Sequence, residues 1–169
     1  MPPDPFETLG LPPAYRIDPA ALQRAYLLKS ASLHPDLADD PLAAESSAAL
    51  NRARQVLEDP EARADALLLR LGGPPREAER SLPDGFLAEI MSVREELQDA
   101  ALSGDSAARH RLKQWADERR DAHIASVTRR FDALPPTPTP AHLRDIRREL
   151  NAWRYIERML EQIDAPGAM

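Results

Sequence analysis

The chain has 169 residues, a formal net charge of −6 and no cysteine. Without cysteine there is no disulfide, zinc finger, thiol nucleophile or metal cluster held by the chain's own thiolates. The negative charge argues against a nucleic-acid partner, and none of the glycine-rich phosphate-binding motifs occurs. No apolar run approaches the roughly 20 residues that span a bilayer, and the first residues resemble neither a signal nor a transit peptide. We expect a cytoplasmic protein without a membrane partner.

Prolines mark the predicted helix starts. Five Asp-Pro or Thr-Pro pairs each precede a helical pattern. The first side chain can accept hydrogen bonds from the free N–H groups of the first turn, and proline loses nothing at the next position. No segment shows the sustained alternation of a strand, so an all-α protein is predicted. The pairs are Asp4-Pro5, Asp18-Pro19, Asp40-Pro41, Asp59-Pro60 and Thr139-Pro140.

The predicted helices form two groups separated by a glycine- and proline-rich break, Gly72-Gly73-Pro74-Pro75. Together they predict a helical subdomain at residues 1–73, a linker at 74–82 and a three-helix bundle at 83–169. The first group is Pro5–Leu9, Pro19 to about Leu33, Pro41 to about Glu58 and Pro60–Leu71. The second group is about Gly85–Leu102, about Ser106–Leu134 and Pro140–Ile163.

The second predicted helix leads into the tripeptide His34-Pro35-Asp36. This helix carries Arg24 and Lys29 and no acidic residue between Pro19 and Leu33. Proline disfavours helical geometry in the residue before it, so the tripeptide is expected on a turn between two helices. An ordinary helix stop is the alternative, because a tripeptide alone is a weak signal. In this context of a short helix, a basic helix and a returning helix, the arrangement resembles a J-domain.

Segments after the tripeptide narrow this resemblance. They are Asn51-Arg52-Ala53, Leu57-Glu58-Asp59-Pro60, Arg63-Ala64, Leu67-Leu68, Leu71-Gly72, Phe86-Leu87, Arg94-Glu95-Glu96-Leu97 and Trp153-Arg154-Tyr155. In these segments the chain resembles the HscB family, the J-domain co-chaperones of iron–sulfur cluster assembly. The resemblance runs from about Phe6 to Ile163 and keeps the order and spacing of the parts.

This resemblance implies an all-α fold in which an N-terminal J-domain helical hairpin packs with a C-terminal three-helix bundle. It implies a co-chaperone with no enzymatic activity and no cofactor of its own. The second helix and the tripeptide are expected to contact the ATPase domain of a DnaK-class chaperone, of the HscA type or DnaK itself. The contacting residues are Arg24, Lys29, His34, Pro35 and Asp36. The bundle is expected to hold the scaffold protein IscU and deliver it for cluster transfer.

The first helix of the bundle has two distinct apolar faces. At 100° per residue, a core stripe is formed by Phe86, Ile90, Val93 and Leu97. The other face lies roughly 130° away. The family's scaffold-binding positions fall on this second face and on the last helix, at Leu87, Met91, Arg94, Glu95 and Tyr155. In the last helix Leu143, Ile146, Leu150 and Trp153 follow one face, and Tyr155 points elsewhere, as an exposed aromatic anchor does. Periodicity alone leaves open that both faces are buried.

The second helix departs from the usual J-domain pattern. Leu27, Leu28 and Ser32 stand where basic residues are typical, and helical spacing puts Lys29 on the core stripe. Its stem either runs along apolar surface to bring the ammonium into water, or the helix is locally shifted. The alternative function is therefore a J-like helical adaptor that binds partners with little or no ATPase stimulation. The other histidines, His110, His123 and His142, lack metal-ligand spacing and are expected to be solvated or packing groups.

Overall fold

The structure is a computed structural model that describes residues 3–32 and 41–165. These residues contain helices and no strand, which confirms the all-α prediction. The chain folds as two compact units, Met1–Gly72 and Gly73–Met169. The first unit contains α1 (Pro5–Leu9), α2 (Pro19–Ser32), α3 (Pro41–Glu58) and α4 (Pro60–Arg70). The second contains α5 (Phe86–Ser103), α6 (Ser106–Asp132) and α7 (Pro140–Asp164).

Side-chain caps begin the helices at the predicted positions. The side chains of Asp4, Asp59 and Thr139 accept hydrogen bonds from the first turns of α1, α4 and α7. The carboxylate of Asp18 accepts from the backbone N–H of Ala20, the second residue of α2, at 3.0 Å. Each cap satisfies a donor that has no partner inside its own helix. The fifth pair includes Asp40, which lies outside the described residues.

The core of the first unit is built by α1 to α4 and the connection after α1. At the surface, Arg70 of α4 forms ion pairs with Asp4 and Glu7 of α1, which joins the fourth helix to the first. The buried apolar residues are Phe6, Leu9, Tyr15, Leu22, Leu50, Ala53, Leu57, Ala64, Leu67 and Leu68.

The core of the second unit surrounds α7. The predicted face of this helix is confirmed, because Leu143, Ile146, Leu150 and Trp153 are all buried. Burial extends beyond that face to three polar residues, Arg147, Glu149 and Asn151. The shared core with α5 and α6 comprises Phe86, Ile90, Val93, Leu112, Ala116, Ala152, Ile156, Met159, Leu160 and Ile163.

The segment before α5 is held on α7. Arg147 donates through Nε to the carbonyl of Pro74 at 2.8 Å. The side-chain amide of Asn151 donates to the carbonyls of Glu79 and Ser81, both at 3.0 Å. The segment 74–82, expected from the sequence as a linker, is therefore hydrogen-bonded to α7 through the backbone carbonyls of Pro74, Glu79 and Ser81.

Among the described helices, none combines the length and apolarity that crossing a membrane requires. The described residues also contain no group of three or more His, Cys, Asp or Glu side chains arranged to hold a metal ion.

Candidate functional site

The outer surface of α2 presents cations together with apolar side chains. Arg24 is exposed, and its guanidinium lies 3.7 Å from the carboxylate of Asp18. Leu27 and Leu28 are 54% and 74% exposed, at two positions where the family resemblance leads one to expect basic residues. This helix therefore carries less free positive charge for attracting an acidic partner than the usual J-domain helix does.

Lys29 lies at the surface of α2, although its helical position falls on the core stripe. Its Cε is 3.6 Å and its Nζ 3.9 Å from the position that a Cβ would take on Gly10. Gly10 ends α1 with φ +69°, a conformation that favours glycine. The lysine stem thus passes along the end of α1 while the side chain remains exposed. The exposure of Lys29 is what the first of the two alternatives requires.

The tripeptide His34-Pro35-Asp36 lies outside the described residues, between the end of α2 and the start of α3. Two contacts join the helices on either side of it. The Tyr26 hydroxyl donates to Oδ1 of Asn51 at 2.8 Å, and the Arg54 guanidinium carbon lies 4.6 Å from the centre of the Tyr26 ring. These contacts hold α2 and α3 as a hairpin, and sequence periodicity had given no role to Arg54.

The two faces of α5 divide as predicted. Phe86, Ile90 and Val93 are buried in the core, and Leu97 is partly buried against it. On the other face Leu87 and Met91 are 54% and 57% exposed, and Arg94 and Glu95 are exposed beside them. We call these four residues the α5 patch. Two large apolar side chains flanked by opposite charges are typical of a protein-binding surface.

Tyr155 is less exposed than the sequence predicts. The side chain is half-buried and packs against the core of the second unit. Its ring meets the edge of Phe86, with 6.1 Å between the ring centres and an angle of 73° between the planes. The prediction of an exposed aromatic anchor is therefore wrong in its simple form, because one side of the ring belongs to the core. Phe86 directly precedes Leu87, so Tyr155 lies at the same end of α5 as the α5 patch.

A charged cluster around the buried Glu149, between α6 and α7, was not foreseen from the sequence. Nδ1 of His123 lies 2.7 Å from Oε1 of Glu149, and Arg130 lies 3.4 Å from the other carboxylate oxygen. Burial alone raises the pKa of Glu149, but the hydrogen bond and charge of His123, with the charge of Arg130, hold that pKa below its usual value. His123 is thus a packing group, one of the two roles expected for it. Its ring also meets the edge of Phe86 at 5.9 Å.

Two family models match this chain, one in each unit. A DnaJ domain model matches residues 4–65, and a model described as the HSCB C-terminal oligomerisation domain matches residues 82–164. A DnaJ domain followed by a second helical domain of this kind is the domain organisation of a J-type co-chaperone. The chain belongs to the HscB family of co-chaperones.

Similar proteins cover nearly the whole chain. A co-chaperone protein HscB homolog of Bordetella avium is 30% identical over an alignment 169 positions long, which covers 96% of this chain and 96% of the relative. A mitochondrial J-type co-chaperone of Schizosaccharomyces pombe is 31% identical over 153 residues, 88% of this chain and 65% of the relative.

Solved structures support the same fold. The human co-chaperone protein HscB superimposes with a TM-score of 0.77 at 23% identity, over 95% of this chain and 80% of the human one. The chaperone HscB from Vibrio cholerae gives a TM-score of 0.73 at 22% identity, over 96% of both chains.

Proposed function

We propose that this protein stimulates the ATPase of a DnaK-class chaperone, of the HscA type or DnaK itself, and delivers the iron–sulfur scaffold protein IscU to it for cluster transfer. In this proposal residues 1–73 act as the J-domain, residues 74–82 connect the units, and residues 83–169 bind the scaffold. The protein acts in the cytoplasm by contact with other proteins, without catalysis, cofactor, nucleic acid or membrane.

The single observation that carries this proposal is the match along the whole chain, since relatives named as HscB co-chaperones align with both units. The DnaJ match spans His34-Pro35-Asp36, and α2 beside it exposes Arg24 and Lys29. The carboxylate of Asp36 suits a charge-assisted hydrogen bond to a basic group of the chaperone.

The α5 patch supports the second half of the proposal. Leu87 and Met91 stay exposed although a packed core is available to their helix. Arg94 and Glu95 supply one charge of each sign, which fixes the register of a bound protein more than its affinity. Tyr155 contributes the exposed part of its ring from α7.

Single-turnover ATP hydrolysis tests the chaperone half. The chain is added to a DnaK-class chaperone loaded with ATP, and the rate is compared with that of the His34→Gln variant. Wild type is expected to accelerate hydrolysis and the variant to lose that effect, because the substitution replaces the histidine of the tripeptide His34-Pro35-Asp36. Equal rates with the two proteins contradict a J-domain role.

A second candidate is a helical adaptor that binds its partners with weak or no ATPase stimulation. The observation that favours it is the exposure of Leu27 and Leu28 on α2, which replaces charge with apolar surface. The same assay separates the two, because an adaptor binds the chaperone without accelerating hydrolysis.

A further inference from the structure

A cleft with an arginine-rich lining opens beside Tyr155 in the second unit. It encloses about 320 Å³ between the segment that precedes α5 and the outer side of α7. This volume lies at the lower end of the range for ligand-binding clefts, about 300–1,000 Å³. Its lining includes Arg76, Arg80, Asn151, Arg154, Tyr155 and Arg158.

Positive charge exceeds negative charge in this cleft. One acidic residue, Glu77, lines it beside the four arginines. Arg154 lies 3.9 Å from Glu161, whereas Arg80 and Arg158 form no ion pair with any residue in the described ranges. The excess is local, because the chain as a whole has a net charge of −6. Arginine clusters of this kind select carboxylates and phosphates.

The side chain of Asn151 has a buried acceptor at this cleft. The residue is 6% exposed and lines the cleft. Its side-chain nitrogen donates to two backbone carbonyls, of Glu79 and Ser81, so the orientation of the amide is fixed. Oδ1 is then left buried without a hydrogen-bond donor among the described residues. A buried acceptor without a donor costs free energy, and an N–H group brought by a ligand removes that cost.

A peptide carries the groups that this cleft lacks. Acidic side chains pair with the arginines, a backbone N–H can donate to Asn151, and apolar atoms can contact the ring of Tyr155. Phosphates of a nucleic acid also satisfy arginines, but a chain with a net charge of −6 repels a polyanion with one charge per nucleotide more strongly than it repels a peptide with a few acidic side chains. Tyr155 also joins the cleft to the α5 patch through Phe86, which makes the two surfaces neighbours.

We propose that this cleft binds an acidic segment of the client protein while the α5 patch binds an apolar one. The inference rests on the proposed function, in which the second unit holds the client. The cleft contributes to client binding through charge, so its contribution falls as ionic strength rises. The apolar side chains of the α5 patch contribute through burial, which is largely independent of salt.

The test combines Arg80→Gln with Arg158→Gln, which removes two cleft charges that form no ion pair within residues 3–32 and 41–165. The matched control is Arg111→Gln combined with Arg129→Gln, two exposed arginines of α6 outside the cleft. Both double variants change the net charge equally. Binding of a purified IscU-type scaffold is measured by calorimetry at about 50 mM and about 300 mM salt, where the screening length falls from roughly 14 to 6 Å.

We expect the cleft variant to bind the scaffold about tenfold more weakly than the control at low salt and to differ little from it at high salt. Equal affinities of the two variants at both salt concentrations overturn the cleft proposal. The proposed function fails separately, if wild type itself does not bind the scaffold.

A labelled peptide of aspartate and glutamate gives an arm that does not depend on the scaffold. We expect it to bind wild type and the control more tightly than the cleft variant. If a short single-stranded oligonucleotide binds in its place, with the same dependence on Arg80 and Arg158, the cleft recognises phosphates and the peptide proposal is wrong.

Discussion

Removing the apolar part of the α5 patch tests the client-binding half of the account. The change is Leu87→Ala combined with Met91→Ala, which leaves Arg94 and Glu95 in place. Alanine is the best helix former, so α5 itself is not weakened by the substitutions. Tyr155 is kept, because its ring packs against Phe86 and its removal also disturbs the core.

The magnitude follows from the exposed fractions. Complete burial of a leucine or methionine side chain contributes about 1.5–3 kcal/mol. Leu87 is 54% and Met91 57% exposed, so a bound partner can cover roughly half of each side chain. Covering that half contributes about 1 kcal/mol of binding free energy per residue. The double variant is therefore expected to bind the scaffold with about 2 kcal/mol less free energy, about a 30-fold increase in Kd.

The assay is calorimetric titration with the scaffold, combined with thermal unfolding of each variant. The buried halves of the two side chains predict a loss of about 1–2 kcal/mol in the free energy of unfolding. Ile90→Ala is the core reference, since Ile90 is 1% exposed and its truncation costs about 2–5 kcal/mol. Leu102→Ala is the surface control. Leu102 is 79% exposed and lies about 22 Å along α5 from Leu87.

Two results refute this reasoning. If the double variant binds the scaffold as tightly as Leu102→Ala does, the α5 patch does not contact the client. If it unfolds at as low a temperature as Ile90→Ala, the exposed fractions of Leu87 and Met91 do not describe their true environment.

Three further predictions concern other parts of the chain. Glu149→Gln is expected to lower the free energy of unfolding by about 1–3 kcal/mol, because it weakens the buried contact with His123. Since folding lowers the pKa of Glu149, the advantage of wild type is complete above the ordinary glutamate pKa of about 4.3 and declines as pH falls through the lower folded-state value. Denaturant unfolding across pH 2–7 measures the difference in unfolding free energy between wild type and Glu149→Gln. A difference that stays the same at every pH contradicts the prediction. Leu27→Lys combined with Leu28→Lys is expected to increase ATPase stimulation at low salt and to make it more salt-dependent, whereas unchanged kinetics would show that this face of α2 does not meet the chaperone. Asp59→Ala removes the cap that accepts from α4 at 2.9 Å and is expected to cost about 1 kcal/mol in denaturant unfolding, a value that a loss near zero would contradict.

Helix positions were predictable because local chemistry sets them. The Asp-Pro and Thr-Pro pairs start helices through contacts with the next few residues, and the cap at Asp59 illustrates this. The division of α5 into a core face and an exposed face was predictable too, because a single stripe of that helix packs against its neighbours. Leu87 and Met91 are exposed for this reason.

Burial on α7 was less predictable because it depends on distant segments. Periodicity identified one apolar face, but the chain before α5 covers another part of the helix and buries Arg147 and Asn151 through backbone carbonyls. Glu149 is buried because α6 brings His123 against it. No local pattern in α7 records these contacts, so the charged cluster and the arginine-lined cleft emerge from the structure.

If this protein delivers its client to the chaperone, one chain must couple the two. Single-turnover ATP hydrolysis by the DnaK-class chaperone is measured with this protein over a range of scaffold concentrations. Wild type is expected to accelerate hydrolysis, and scaffold is expected to accelerate it further. The Leu87→Ala, Met91→Ala variant should keep the first effect and need about 30-fold more scaffold for the second. His34→Gln should lose both. Acceleration by scaffold that is the same with wild type and His34→Gln contradicts the account.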